Sequence, residues 1–431
     1  MAGVAVVGSG NYSLQIDTGF VQDAFTLDSA TMGVLNNTEF VLDGTTNFAE
    51  VLDGCTNVVA RRGREDVGDQ FSAGTMSFTM LDTSGIFNPF DEQSPYWDTA
   101  TAQPGLAPLR KVKLQRYDTN NDAQDIFNGY IINYNYNFAL GGLDTVTVYC
   151  ADQFYLLAQT FMDEFNVSEQ LSSARLTAVL DLPEVAFPAG QRTIATGTQT
   201  LGGAAAFTVP QGTNVAQYCA DINQAEQGRL FMSREGDLVF QARLGSTLSG
   251  SIADFHDDGT NLPYNGLGIS FEADQVTNRA TVNIIDGSPQ TAENLASQAT
   301  YFVQALSITN SLLHNDAAAL TLAEYLLEPN PEARYTSVDT QFNMLTIPQK
   351  DALAIVEIGN TITIEKTFPS GAGTTELAQE LAVEGIEHRL DFSIGHTISL
   401  FTSPTVIIYE FILNDAIYGK LGIQDPQPVL G

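Results

Sequence analysis

The chain has 431 residues, 44 % of them apolar, and a formal net charge of −33 from 51 acidic against 18 basic side chains. The longest strongly apolar stretch, Val406 to Leu413, contains Glu410 and falls far short of the ~20 residues a membrane helix needs, so no membrane insertion is expected. So few cations exclude a basic nucleic-acid-binding surface, the length predicts about three domains, and Cys55, Cys150 and Cys219, far apart behind a start unlike a secretory signal, predict reduced thiols and folding in a cytoplasm.

Residues 1–44 are expected to be an N-terminal extension. Val4-Ala-Val-Val-Gly8-Ser-Gly10 begins like a dinucleotide-binding turn, but Ser13 stands where the third glycine would let a helix pack on its strand. A loose glycine-rich start is expected instead, although Asn11 to Thr18 alternates like a strand. Residues 45–150 read as a first β-barrel domain, with period-two segments at Gly74–Leu81, Val112–Tyr117, Ile126–Tyr136 and Thr145–Tyr149 separated by turn-rich stretches.

Residues 151–250 read as a small α+β domain. Helical spacing covers Asp152–Glu164 and Ser168–Leu180, and a third helix fits Val215–Glu226, capped by Asn214 and stopped at Gly228. Arg229–Met232 and Leu238–Ala242 form a hairpin. Residues 251–267 read as a polar linker. Residues 268–405 read as a second β-barrel domain carrying one helix, 317–327, with strands at Arg279–Ile284, Tyr335–Leu345, Thr361–Lys366, Leu381–Leu390 and His396–Thr402. Residues 406–431 are expected to be a C-terminal arm whose Ile407, Ile408, Phe411, Ile412 and Leu413 dock on a partner.

The two β regions share a pattern. Leu109-Arg-Lys-Val-Lys-Leu, Phe127-Asn-Gly129-Tyr-Ile-Ile and Thr145-Val-Thr-Val-Tyr in the first answer to Gly359-Asn-Thr-Ile-Thr-Ile, Val383-Glu-Gly385-Ile-Glu-His and Thr397-Ile-Ser-Leu-Phe in the second. This points to an internal duplication, the alternative being chance likeness of two hairpins.

Motifs for chemistry are sparse. Asp118-Thr-Asn-Asn-Asp122 has the first spacings of a calcium loop, but Ala123 and Gly129 occupy the glycine and glutamate positions, so it reads as a hairpin turn. Asp254-Phe-His-Asp-Asp258 is the densest acidic and imidazole cluster and reads as a solvated linker turn. No nucleophile elbow, phosphate loop, reactive cysteine or metal-ligand spacing appears, so no catalytic residue, metal or cofactor is expected. Arg61-Arg62-Gly-Arg64 is the only basic cluster, and in so acidic a chain a salt-bridged role within the chain or between subunits is expected for Arg61, Arg62 and Arg64.

A family resemblance rests on Val58-Val-Ala-Arg61-Arg-Gly-Arg64, Gln70-Phe-Ser-Ala-Gly74-Thr, Leu81-Asp-Thr-Ser-Gly-Ile-Phe-Asn-Pro89 and Ser94-Pro-Tyr-Trp97. It continues through Cys150-Ala-Asp-Gln-Phe, Glu226-Gln-Gly-Arg-Leu-Phe-Met, Asp257-Asp-Gly-Thr-Asn-Leu-Pro-Tyr264, Asn278-Arg-Ala-Thr-Val282, Leu322-Ala-Glu-Tyr-Leu-Leu327 and Tyr418-Gly-Lys-Leu-Gly422. Over about residues 45–422 the chain resembles minor tail, or baseplate hub, proteins of long-tailed phages. The resemblance implies a mainly β fold with an α+β insertion and two related β-barrel domains. It also implies a homotrimeric structural protein of the virion tail tip, made in the host cytoplasm. The implied partners are the distal tail or tail-tube ring, the tape measure protein and tip, fibre or receptor-binding proteins, with phage DNA passing unbound. The rival reading is a β-rich receptor- or carbohydrate-binding tail protein, which would be expected to cluster exposed aromatics. Trp97 is the only tryptophan, and the aromatics are scattered.

Overall fold

The computed structural model describes residues 4–19, 48–65, 69–99, 101–203, 205–243, 250–370 and 373–404. The arm expected at 406–431, with Ile407, Ile408, Phe411, Ile412 and Leu413, lies outside the described residues.

The first β region contains β1 (Val4–Val6), β2 (Gly10–Asp17), β3 (Phe48–Glu50), β4 (Cys55–Gly63), β5 (Thr75–Asp82), β6 (Lys111–Tyr117), β7 (Ala123–Asn137) and β8 (Asp144–Ala151). Alternation builds these strands: Met76, Phe78 and Met80 of β5 are buried, while Thr75, Ser77 and Thr79 face away from that core. The α+β region follows with helices α1 (Phe154–Gln159), α2 (Ser172–Leu180) and α3 (Val215–Glu226) and the hairpin β9 (Arg229–Met232) and β10 (Leu238–Gln241). The Asn214 side chain accepts the Gln217 N–H at 3.1 Å to start α3, and Gln227 at φ 58° ends it.

The second half contains β11 (Asp254–His256), β12 (Gly266–Ser270), β13 (Arg279–Ile284), β14 (Gln290–Glu293), α4 (Leu295–Tyr301), β15 (Ala305–Ser311), α5 (Asp316–Tyr325) and β16 (Arg334–Gln341). It closes with α6 (Ile347–Ala354), β17 (Thr361–Ser370), the long β18 (Gly373–Asp391) and β19 (Gly395–Pro404).

Most strands join one curled sheet, and its order repeats. In the first half the neighbours run β4-β5-β8-β7-β6-β2; in the second they run β12-β16-β19-β18-β17-β11. Numbered along the chain, both modules read second-third-sixth-fifth-fourth-first. They differ in that β2 lies antiparallel to β6, whereas the three-residue β11 lies parallel to β17.

The repeat extends to register. Cys150 faces Ile131 and Thr402 faces Val383, each beside a bulge that skips the next residue, Ile132 or Glu384. Leu109 and Gly359, both at positive φ, enter the fourth strand of each module through the same turn. The pairing corrects one detail of the sequence comparison. Gly129 and Gly385 are not counterparts, because the residue matching Gly129 is Leu381. A Cβ at Gly129 would lie 2.4 Å from Ala151 O on β8, and one at Gly385 would lie 2.4 Å from Arg64 O beyond β4, so the two glycines serve different close approaches.

Among the described residues three hydrophobic cores result. One fills the first module around Leu14, Phe78, Leu114, Phe127 and Val148, and one fills the second around Phe255, Tyr335, Phe342, Ile364 and Leu400. The third joins residues 154–242 to β13, β15 and α5. Helix α5 therefore packs with the α+β region and not with the second barrel, because Ala319, Leu322 and Ala323 meet Ala280 and Val282 of β13 there. The stretch read as a linker contains β11, whose Phe255 is buried between the polar neighbours that made it look solvated. The glycine-rich start is ordered: β1 and β2 form a hairpin, and β2 is the first strand of its module.

Candidate functional site

The two modules fuse edge to edge along β18. Residues 373–382 of β18 pair with β17, and residues 385–391 continue on the same edge along β4. At the handover Gly385 faces Gly63, which sits at φ +85°. A Cβ on Gly63 would lie 2.3 Å from Glu384 O and 2.7 Å from Gly385 Cα, both backbone atoms that cannot move aside. Gly63→Ala is therefore expected to cost at least about 2 kcal/mol, strain and clash together. Gly85→Ala, at φ +75° in open space, is expected to cost only about 1 kcal/mol. Denaturant titration of the two variants checks this.

Glu384, in the bulge between the two pairings, is 1 % exposed. Its Oε2 accepts Arg64 Nε at 2.9 Å, and its Oε1 accepts Arg229 Nη2 at 2.6 Å and Ser403 Oγ at 2.7 Å. Burial pushes this carboxyl up, but the Arg229 and Arg64 guanidiniums and these hydrogen bonds outweigh it and hold the acid below its ordinary range.

Arg62 builds a second tie. It is 3 % exposed, donates to Glu357 Oε1 at 2.7 Å and reaches Met232 O at 3.3 Å. Glu357 Oε2 accepts the backbone N–H of Arg234 at 3.0 Å, and Arg234 Nη1 donates to Ala354 O at 3.0 Å. Both ties thus join the end of β4, the second module and the β9–β10 hairpin. Arg61 differs: it pairs with half-exposed Glu65 at 2.7 Å and lies over the Phe401 ring at 5.3 Å.

A third contact locks the N-terminal hairpin to the far module. Ser9 Oγ accepts the His396 N–H at 3.0 Å, Tyr12 Oη lies 2.8 Å from His396 Nδ1, and His396 Nε2 lies 3.0 Å from His388 Nδ1. Burial, then Arg116, lowers His396 to about 3. Burial, then His396, Arg62 and Arg234, lowers His388 well below its ordinary value. Both rings are neutral at pH 7.

The site is a set of buried ties between distant strands. Cys55, Cys150 and Cys219 are buried, and burial pushes all three thiols up, Cys219 to about 12, away from the thiolate a nucleophile needs. Among the described residues no three His, Cys, Asp or Glu side chains converge as a metal site, and no helix is long and apolar enough to cross a membrane. Asp257 and His256 of the acidic cluster are held at the module's end, Asp257 by Lys366 at 3.2 Å and by Thr367. Asp118 closes a hairpin turn by accepting the N–H groups of Asn120 and Asp122. Sequence reasoning missed Glu384, Glu357, His388 and His396. Glu384 and His388 lie inside the duplicated Val383-Glu-Gly385-Ile-Glu-His segment, which was the one available signal.

No protein-family description matches the sequence, and no curated protein does. Solved structures do. A tail protein from Neisseria meningitidis MC58 is similar at TM-score 0.56 and 11 % identity, over 92 % of this chain and 96 % of that one. A 43 kDa tail protein of prophage MuSo2 from Shewanella oneidensis is similar at TM-score 0.52 and 14 % identity, over 83 % of this chain and 96 % of that one. The resemblance read from the sequence and the likeness of the fold thus meet: this mainly β chain has the fold of phage tail proteins.

Proposed function

We propose that the chain is a structural, non-enzymatic hub of a phage tail tip, acting as a homotrimer. The observation that supports this most is the repeated strand order: two six-strand modules fused into one sheet. Three such chains present six similar units to a sixfold tube ring while keeping threefold symmetry for the tip. The buried ion pairs at the seam suit a part that must transmit load between modules. Its partners in this reading are the distal tail or tube ring, the tape measure protein and tip or fibre proteins, and its place is the virion after synthesis in the host cytoplasm.

The net charge of −33 fits a conduit that DNA crosses without being held, since each phosphate neutralised by a cation would add affinity. The channel wall is expected to be richer in acidic over basic side chains than the outer face; equal ratios would leave only solubility as an explanation. Mass measurement of the tail-tip complex tests the reading as a whole. Three copies are expected, and six would make the chain a tube or distal-ring subunit instead.

A further inference from the structure

Strand β7 carries the half that β18 uses at the seam, but leaves it open. Leu109 N–H donates to Ile131 O at 2.6 Å and Ile131 N–H to Arg110 O at 2.9 Å, just as Gly359 and Val383 N–H groups bond Val383 O and Asn360 O at 2.7 and 2.9 Å. Beyond that point β18 runs on along β4. Among the described residues no strand lies along the matching edge of β7, residues 132–137. Strand β12 is the counterpart of β4, yet among the described residues it is paired on one edge only, with β16, whereas β4 is paired on both.

Side-chain burial marks the same two edges. Leu390, which crosses the seam into the first module's core, is fully buried, while its counterpart Phe138 is 54 % exposed. On the other edge Ile269 and Phe271 are 43 % and 67 % exposed. Edge strands normally carry charge that discourages pairing. Here Ile131-Ile-Asn-Tyr-Asn-Tyr-Asn-Phe138 and Gly266-Leu-Gly-Ile-Ser-Phe271 hold no charged residue, in a chain of net charge −33. Two neutral, partly apolar open edges can meet where most of this surface would repel a second copy.

We propose that the β7 edge of one copy pairs antiparallel with the β12 edge of a second copy, repeating between chains the β18–β4 seam found within one. This deepens the hub reading and rests on it for the number of copies, not for the contact. The internal seam also sets the register. Glu387 faces Arg61 there. Gly268 answers to Val59, and Thr336 and Ser337 both oppose it in a bulge. Two residues on along β12, Ser270 is therefore the counterpart of Arg61, Asn135 is that of Glu387, and Asn135 faces Ser270. Such a contact is head-to-tail: it propagates from copy to copy and closes into a ring.

The test is disulfide trapping in the full chain. Asn135→Cys and Ser270→Cys together should place two cysteines at cross-strand distance, and the three native cysteines are buried. Mild oxidation should give covalent dimers and a closed oligomer from the double variant and monomers from either single variant. Cross-links in a single variant, a cross-link confined to one chain, or none in either the purified protein or assembled tails would overturn the pairing. Trapped rings of a copy number other than three would support the pairing and overturn the trimer. A threefold tip without the cross-link would do the reverse.

Discussion

Glu384→Gln is expected to destabilise the protein by about 3–5 kcal/mol, the range for removing one partner of a buried ion pair. The amide fills the same space, so packing is not the cause. The loss is electrostatic: Arg64 and Arg229, whose side chains are 13 % and 12 % exposed, would each face a neutral group in a nearly dry junction. Ser403 could still bond the amide, but it cannot neutralise two guanidiniums. Because those arginines lie just past β4 and on β9 and the acid on β18, the loss should loosen all three bodies together. Arg61→Ala, which removes a pair open to solvent on both sides, is expected to cost no more than about 1 kcal/mol. Urea titration of both variants checks the contrast, and equal costs would remove the junction's special role.

The second large effect is with pH. Between pH 6.5 and about 3 the unfolded chain binds a proton at His396 that the folded chain refuses, so stability falls as the pH falls through that window. Stability from this group is complete above pH 6.5, and His388 acts in the same direction. Asp152 opposes them. Burial raises its carboxyl to about 7 against the pull of the Gly74 and Phe154 N–H groups and Arg62, so between 3.8 and about 7 the folded chain holds the extra proton. His396→Gln separates the contributions. The stability gap between the parent chain and this variant should narrow by about 2–3 kcal/mol from pH 7 to pH 4.5, at about 1.4 kcal/mol per pH unit. An unchanged gap would mean that the imidazole is not held neutral.

What could be read from the sequence was local. Alternation placed the long strands, and Asn214 with Gly228 framed α3 to the residue. Thr346-Ile-Pro-Gln349 carried an unread capping box that starts α6, where the Thr346 N–H donates to Gln349 Oε1 at 2.9 Å. What could not be read was which distant pieces share a core. Helix α5 follows β15 in sequence but packs with residues far upstream, and nothing in its own pattern of alanines and leucines names that partner. The duplication was visible through Thr145 and Thr397 and through Leu109 and Gly359. The glycine that seemed its best marker misled, because a glycine is required wherever backbones close in, and the two modules close in at different places. The junction acids stayed hidden because a glutamate in a bulge looks like any other among 51 acidic residues until its partners come from three separate segments.

The central claim is that one chain supplies two quasi-equivalent wall units. Electron cryomicroscopy of the tail tip at the level of this protein tests it most directly. The density should show six lobes of alternating kind, each with the same six-strand order, matching under 60° rotation in their strands but exact only under 120°. Six identical lobes, or three lobes with the second module lying outside the wall, would contradict it.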